Sequence, residues 1–203
     1  MKQIFLVRHG ETDWNSEGRF QGKEDVPLNV NGEAQAQKLA DAFCGIGIER
    51  VVTSHLSRAR KTAEMITRKL MIQEPTVVEG LHERHYGEAA GLLPEERLAR
   101  FPKGVIPPGQ ESLESLHERA VATCNYIAET FPENKIIIVS HGGVINSLIN
   151  YFSNGTFGSG KTRLINCSIS RVSYTADGWT LDYVNIGSEE LDRYEKNTGR
   201  PIP

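Results

Sequence analysis

The 203-residue sequence lacks long hydrophobic runs, a cysteine framework and an excess of charge of either sign. Every apolar run falls well short of the roughly 20 residues that a membrane-spanning helix needs. The three cysteines, Cys44, Cys124 and Cys167, show no Cys-x-x-Cys spacing, so they predict neither a disulfide framework nor a zinc site. The 23 basic and 26 acidic side chains give a net charge of −3, which provides no overall field for gathering nucleic acid or anionic membrane.

The composition is otherwise that of an ordinary globular protein, with 38% hydrophobic and 24% charged residues. Near the N-terminus only residues 4–7 form an apolar run, whereas a secretory signal needs roughly 7 to 15 such residues. We therefore expect a cytoplasmic protein, with neither nucleic acid nor membrane as a partner. The sequence contains no internal repeat or linker, so we predict one domain over residues 1–203, and it leaves the oligomeric state open.

Short apolar runs alternate with segments of helical period along most of the chain. Three runs predict strands buried on both faces: residues 3–7, 50–53 and 136–140. Two sets of apolar residues at helical spacing predict helices: Ala59, Ala63, Ile66 and Leu70, then Leu113, Leu116, Ala120, Cys124 and Ile127. Asn31 is expected to cap a further helix over residues 32–43. This alternation predicts an α/β fold in which helices cover both faces of a mostly parallel sheet.

Two further segments have patterns of their own. Residues 168–174 and 179–184 flank Asp177-Gly178, and this pattern predicts a hairpin late in the sheet. Residues 84–112 are interrupted by four prolines and predict a loop-rich insertion, to which we assign the selection of substrate.

Two of the predicted strands end in histidine, and each histidine is followed at once by glycine. Arg8 and His9 end the first strand, and His141 ends the strand at 136–140. A third strand, at 50–53, leads into a helix whose first turns carry Arg58. Ligands of open α/β sheets bind beyond the carboxyl ends of the strands. The pattern therefore predicts a site at one edge of the sheet that contains two histidines and two arginines.

These segments resemble the motifs of a known family. LVRHGETDWN at positions 6–15 is similar to the Arg-His-Gly signature of the histidine phosphatase superfamily, which includes the cofactor-dependent phosphoglycerate mutases. TSHLSRARKTAE (53–64), LHERHYGEAAG (81–91) and VSHGGVI (139–145) resemble further motifs of that family in the same order. The resemblance implies a phosphoglycerate mutase-like, three-layer α/β/α sandwich with a mostly parallel central sheet.

The resemblance also implies roles for individual residues. His9 matches the nucleophile that takes up the phosphoryl group, and Glu83 matches the proton donor. Arg8, Arg58 and His141 match residues of the phosphate pocket. Six further residues are expected to bind substrate: Asn15, Gln21, Gly22, Arg84, Tyr86 and Gly142.

Phosphoryl transfer explains why such residues are needed. The transferred group spreads negative charge over its oxygens, so an enzyme mainly has to position and neutralise it. Arginine suits bidentate contact with phosphate oxygens, a neutral His9 can attack phosphorus, and His141 beside a phosphate is expected to favour its protonated form. Because these cations supply the positive charge, we expect neither a metal nor another cofactor.

One segment matches an unrelated phosphate-binding motif. Residues 155–162, GTFGSGKT, fit the pattern Gly-x-x-x-x-Gly-Lys-Thr, whose mechanism requires a strand before it and a helix after it. Here a helical pattern precedes the segment and a strand pattern follows it, so we predict a flexible loop.

The resemblance favours one function over two alternatives. We predict a phosphatase that hydrolyses small phosphomonoesters through a phosphohistidine, with a small phosphorylated metabolite as its partner. The first alternative is a cofactor-dependent phosphoglycerate mutase, against which the short segment after Gly91 counts. The second is a non-catalytic phosphate-binding module, against which the presence of both His9 and Glu83 counts. The sequence does not identify the particular phosphomonoester.

Overall fold

Six strands form one sheet in the computed structural model, which describes residues 1–196. The strands are β1 (Lys2–Arg8), β2 (Arg50–Thr53), β3 (Thr76–Val77), β4 (Lys135–Ser140), β5 (Ile169–Thr175) and β6 (Gly178–Ile186). They lie in the order β3-β2-β4-β1-β5-β6. Residues 197–203 of the domain predicted over 1–203 lie outside the described residues.

The sheet is parallel in its first four strands and antiparallel at one edge. β1 pairs with β4, β4 with β2, and β2 with β3, all in parallel, whereas β5 is antiparallel to both β1 and β6. The β1–β4 register places Arg8 opposite Ser140. The next residues, His9 and His141, therefore follow two neighbouring central strands at the same edge of the sheet. The hairpin predicted around Asp177-Gly178 joins β5 to β6, with Thr175 opposite Gly178.

Within residues 1–196, seven α-helices pack around this sheet. They are α1 (Asp13–Glu17), α2 (Val30–Ala42), α3 (Ser57–Leu70), α4 (Pro94–Arg100), α5 (Leu113–Thr130), α6 (Gly142–Phe152) and α7 (Leu191–Lys196). Alternate residues of β1 face opposite sides: Phe5 and Val7 pack with α2, α3 and α7, and Ile4 and Leu6 pack with α5 and α6. The predicted three-layer α/β/α sandwich with a mostly parallel sheet is confirmed.

The start of α2 differs from the prediction. The helix begins at Val30, and its cap is Asn29, whose side-chain oxygen accepts the Gly32 N–H at 2.8 Å. Asn31 lies inside the first turn and donates a hydrogen bond to Glu11 instead. Two asparagines two residues apart are equally good caps by composition, and the contact with Gly32 decides between them.

The segment at 84–112 is also more ordered than its prolines suggest. It contains a short 3₁₀-helix (Gly87–Ala89) as well as α4. Pro94 is the first residue of α4, a position at which its missing N–H is not needed. The Glu96 carboxylate accepts the Leu93 N–H at 2.8 Å and closes the start of the helix. The rest of this loop-rich insertion is irregular, since the two helices occupy 10 of its 29 residues.

No helix within residues 1–196 is both long and apolar enough to cross a membrane.

Candidate active site

The two predicted histidines lie side by side at the carboxyl ends of β1 and β4. Their ring centroids are 5.1 Å apart, and both side chains are buried. His141 is also the residue that precedes the first turn of α6. The sheet register and the start of one helix thus bring together two residues that are 132 positions apart in the sequence, as the motif positions predict.

His9 is oriented by a hydrogen bond to its own loop. Its ring atom Nδ1 lies 2.7 Å from the carbonyl oxygen of Gly10. Because a carbonyl only accepts, Nδ1 carries the proton and Nε2 keeps its lone pair. Burial, followed by the charges of Arg58 and Arg8, lowers the pKa of His9 well below its usual value. The imidazole is therefore neutral at pH 7, which is the form that a nucleophile requires.

The loop that carries His9 is held against α2 and α3. The Gly10 N–H donates to Oγ1 of Thr62 at 3.1 Å, and Thr62 in turn donates to the carbonyl of Arg58 at 2.8 Å. A Cβ atom at Gly10 would lie 2.5 Å from the carbonyl oxygen of Gly32, so this approach of loop to helix requires glycine. The Arg-His-Gly motif thus includes a packing requirement as well as a chemical one.

The two predicted arginines have polar groups that the protein leaves unpaired. Arg58 is 1% exposed, and its Nη1 and Nη2 donate to the carbonyls of Glu24 at 2.7 Å and Gly22 at 2.8 Å. Arg8 donates through Nη1 to the carbonyl of Leu164 at 2.6 Å. The buried Nε atom of each arginine has no partner among residues 1–196. Since buried polar groups are normally hydrogen-bonded, both arginines are prepared for an anion.

Both ring nitrogens of His141, Nδ1 and Nε2, also lack a hydrogen-bond partner within the described chain, although the side chain is fully buried. Burial, followed by the charge of Arg58, lowers the pKa of His141 well below its usual value. The sequence predicts that His141 is protonated beside a phosphate. A bound anion would therefore have to raise the pKa of His141 by more than burial and the neighbouring cations lower it.

Glu83 is fixed at the start of α6. Its carboxylate accepts the Gly143 N–H at 3.0 and 3.1 Å and the Arg84 N–H at 2.8 Å. A Cβ atom at Gly143 would overlap the carboxylate, so the second glycine of the His-Gly-Gly sequence permits this contact. Burial lowers the pKa of both Arg8 and Arg58, and the negative charge of Glu83 opposes part of this lowering. The predicted acid thus lies within electrostatic reach of both phosphate-binding candidates.

A cavity of about 480 Å³ opens over these residues. Except for His141, whose ring lies beside that of His9, the predicted site residues line this cavity: they are Arg8, His9, Asn15, Gln21, Gly22, Arg58, Glu83, Arg84, Tyr86 and Gly142. The volume is within the usual range of small-molecule sites, roughly 300 to 1,000 Å³. Gly22 contributes in a second way, because its carbonyl holds Arg58.

The sequence analysis missed several residues that contribute to the cavity or its support. The segment 155–162 is a loop between α6 and β5, as predicted, but Ser159, Gly160 and Thr162 line the cavity, as does the adjacent Arg163. Asn166 donates hydrogen bonds to the His9 carbonyl at 3.0 Å and to Oδ1 of Asn15 at 3.1 Å. The glycines of residues 155–162 indicate only a turn. Neither Arg163 nor Asn166 belongs to one of the family motifs.

Within residues 1–196, no group of three or more His, Cys, Asp or Glu side chains is arranged to hold a metal ion. The cationic character of the site comes from arginine side chains and from the N-terminus of α6.

The fold and the cavity are those of an enzyme that transfers phosphoryl groups through histidine. A sequence model described as "Histidine phosphatase superfamily (branch 1)" matches residues 4–187. The chain belongs to this superfamily, and the assignment made from the motifs is confirmed.

The relatives include proteins named as phosphatases and as mutases. An uncharacterized phosphatase of Bacillus subtilis, PhoE, is 38% identical over 189 residues, 93% of this chain and 96% of the relative. A probable phosphoglycerate mutase of Cronobacter sakazakii, GpmB, is 36% identical over 97% of this chain and 100% of the relative. The structure of a mycobacterial glucosyl-3-phosphoglycerate phosphatase, complexed with VO3, matches with a TM-score of 0.80 and 25% identity, covering 92% of this chain and 100% of that one.

Proposed function

We propose that this protein is a phosphatase that hydrolyses small phosphomonoesters through a phosphohistidine formed on His9. The observation that carries the proposal is the state of His9: its ring is neutral, with Nδ1 bound to the Gly10 carbonyl. Beside it are two arginines whose buried Nε atoms have no hydrogen-bond partner in the described residues. A nucleophile and a site for its electrophile are therefore adjacent. The non-catalytic phosphate-binding alternative does not require the nucleophile to be prepared in this way.

The reaction runs in two transfers. In the first, Nε2 of His9 attacks phosphorus, the bond between phosphorus and the substrate oxygen breaks, and Glu83 in its protonated form gives its proton to the leaving oxygen. In the second, Glu83 takes a proton from water, the water oxygen attacks phosphorus, and the bond to His9 breaks. Arg8, Arg58 and His141 neutralise the charge on the phosphoryl oxygens in both steps.

Two groups add hydrogen bonds to the phosphoryl oxygens in this proposal. Oδ1 of Asn15 is occupied by Thr12 and Asn166, so Nδ2 is the donor that its amide offers to an anion. The N–H of Gly142, in the first turn of α6, is a second donor. Gln21 is buried in the cavity wall, and its Oε1 has no hydrogen-bond partner in the part of the chain that the structure describes, so we assign it to the substrate as well.

The substrate that we propose is a small phosphorylated metabolite, and the location is the cytoplasm. The size of the cavity and the three free thiols of Cys44, Cys124 and Cys167 support these assignments. We further propose that residues 1–203 function as a single domain.

The names of several relatives make a phosphoglycerate mutase the second candidate. A mutase has to keep its phosphoenzyme from water while the product turns round. The helix α4, which could close the cavity, does not do so here. Its Arg100 pairs with Glu88, and its Arg97 donates to the Phe101 carbonyl. Neither arginine lines the cavity. This arrangement supports hydrolysis over transfer to a second acceptor.

One experiment separates these functions. The enzyme is incubated with 3-phosphoglycerate and a bisphosphoglycerate primer, and inorganic phosphate and 2-phosphoglycerate are measured in the same tube. We expect phosphate release to exceed isomerisation. Isomerisation faster by tenfold, equivalent to about 1.4 kcal/mol in barrier, would establish the mutase instead. No turnover of these substrates, of p-nitrophenyl phosphate or of other phosphomonoesters would favour the binding module.

A further inference from the structure

The cavity contains more positive charge than a phosphoryl group requires. Among residues 1–196, five arginines line it, against one carboxylate, Glu83. Arg8 and Arg58 lie beside His9, and Arg19 is paired with Glu17 and Glu96. Arg84 and Arg163 form no ion pair within residues 1–196. Their charges are therefore available to a ligand.

Arg84 is held in place by groups that leave its terminal nitrogens free. Its Nε donates to the carbonyl of Glu111 at 2.9 Å, and its guanidinium carbon lies 5.7 Å from the ring centre of Tyr86. The Tyr86 ring in turn packs against Phe20, with centroids 5.1 Å apart. Neither Nη atom of Arg84 has a hydrogen-bond partner in the described part of the chain. A guanidinium fixed in this way loses little freedom when it binds a planar anion.

Arg163 reaches the cavity from a loop that is fixed on both sides. The Asn185 side chain accepts the Ile165 N–H at 3.0 Å and donates to the Arg163 carbonyl at 3.1 Å. Ser159 of the same loop donates its N–H to the carbonyl of Asn146 in α6 at 3.2 Å. Arg163 lines the cavity together with Arg8. Burial is the main cause of the lowered pKa of Arg8, and the nearby charge of Arg163 lowers it further. Arg163 therefore acts on the same space as the phosphate pocket.

Charge balance leads to the inference. Arg8, Arg58, Arg84 and Arg163 carry four positive charges, and Glu83 carries one negative charge when it is ionised. A phosphate dianion leaves at least one positive charge uncompensated, and a protonated Glu83 leaves two. We propose that Arg84 and Arg163 bind a second anionic group on the alcohol part of the substrate. The preferred substrates are thus phosphomonoesters whose leaving alcohol carries a carboxylate or a second phosphate.

This inference rests on the proposed phosphatase function and narrows it. A planar carboxylate or a phosphate accepts two parallel hydrogen bonds from a guanidinium, whereas a hydroxyl of the same size does not. The attraction is between partly exposed charges, so it weakens as ionic strength rises. A substrate with a neutral alcohol gains none of this binding.

The test compares substrates that differ only in the second anion. 3-Phosphoglycerate and glycerol 3-phosphate differ by a carboxylate in place of a hydroxymethyl group, as phosphoserine and phosphoethanolamine differ by a carboxylate alone. Fructose 1,6-bisphosphate and fructose 6-phosphate test a second phosphate. We expect kcat/KM to favour the more anionic member by at least tenfold in one of these pairs at low salt, with the ratio falling at 0.5 M NaCl.

Variants identify the residues responsible. Arg84→Met and Arg163→Met remove the charge and keep an unbranched side chain that replaces the aliphatic part of arginine, and each should reduce the preference by threefold or more. Arg68→Met, on the exposed face of α3 and outside the cavity, is the matched control and should leave the preference unchanged. Preferences below twofold in all three pairs, or ratios that both arginine variants leave unchanged, would overturn the inference while the phosphatase function stands. Failure to hydrolyse any phosphomonoester, p-nitrophenyl phosphate included, would instead remove the proposed function.

Discussion

Nδ2 of Asn166 lies 3.1 Å from Oδ1 of Asn15 and also donates to the carbonyl of His9. One side chain thus connects the backbone of the nucleophile to the amide that we assign to phosphate binding. Because its oxygen is engaged, the Asn15 amide is held with its NH₂ group available to an anion. Asn166 is a positioning residue in this arrangement.

The first prediction follows from this link. Asn166→Ala frees the Asn15 amide to turn and loosens the His9 loop, and small misplacements of reacting groups cost up to roughly 10²-fold in rate. We expect kcat/KM to fall tenfold to a hundredfold, with vanadate binding weakened in parallel. Asn166→Ser restores one donor and should recover part of the loss. Asn134→Ala, at an exposed position, is the control. A lower melting temperature with unchanged kinetics would show that Asn166 is only structural.

The second prediction concerns the nucleophile. His9→Ala removes the attacking nitrogen without altering the sheet and should abolish turnover while the melting temperature changes little. Wild-type enzyme mixed with substrate and quenched in alkali should carry one phosphoryl group on His9, detected by mass spectrometry. His55→Ala, outside the cavity, is the matched control and should retain activity. Substantial turnover by His9→Ala would contradict the covalent mechanism.

The third prediction concerns proton donation. General acid catalysis contributes roughly 10²- to 10⁴-fold, so Glu83→Gln should lower turnover of alkyl phosphates by that range. p-Nitrophenyl phosphate has a better leaving group and should lose less in the phosphorylation step. Glu88→Gln, which removes an exposed charge, serves as the control. Equal losses on both substrates, with phosphorylation rate-limiting, would exclude Glu83 as the acid.

The fourth prediction concerns the titration of the two buried histidines. Burial and the charge of Arg58 lower the pKa of both His9 and His141, so their ring signals in NMR should not titrate near pH 6.5. Arg58→Met removes one cause and should raise both pKa values, whereas Arg68→Met should not. In the folded protein these rings resist protonation, while in the unfolded chain they accept protons below about pH 6.5. The stability contributed by the two neutral rings is therefore complete above that pH and is lost as the pH falls below it.

The fifth prediction concerns metal ions. Arginines supply the positive charge of the cavity, so activity should survive exhaustive treatment with EDTA. Vanadate, which imitates the five-coordinate transition state, should inhibit the enzyme. Activity lost on chelation and restored by magnesium would show that a metal takes part.

The sequence predicts the buried strands and the motif residues at their ends. The strand at 50–53 is predicted to the residue, and β1 and β4 to within a residue or two, because their apolar runs are buried on both faces. The motif residues could be assigned from the sequence because the Arg-His-Gly and His-Gly-Gly sequences at the strand ends are specific to few protein families. α4 could not be predicted, because the prolines of residues 84–112 resemble loop breaks, although Pro94 occupies the one helical turn that accepts proline.

Arg163 and Asn166 could not be predicted for a different reason. Both lie after a glycine-rich loop, and their importance depends on where that loop packs rather than on any local pattern. Ser159 and Asn185 fix the loop through contacts with α6 and with the end of β6, and these contacts join residues far apart in the sequence. Short-range periodicity contains no information about such contacts.

The arrangement of the sheet separates chemistry from selectivity. Arg8 and His9 are tied to both neighbouring strands, through the Ser140 carbonyl on one side and the Cys167 N–H on the other. The far wall of the cavity, in contrast, comes from two chain excursions, at 84–112 and 155–164, that lie outside the sheet. We expect substitutions in those excursions to change which alcohol is released without disturbing the strands that hold the nucleophile. A lineage with this architecture can acquire new substrates by mutation in two short segments, while the phosphate end of the reaction is inherited intact.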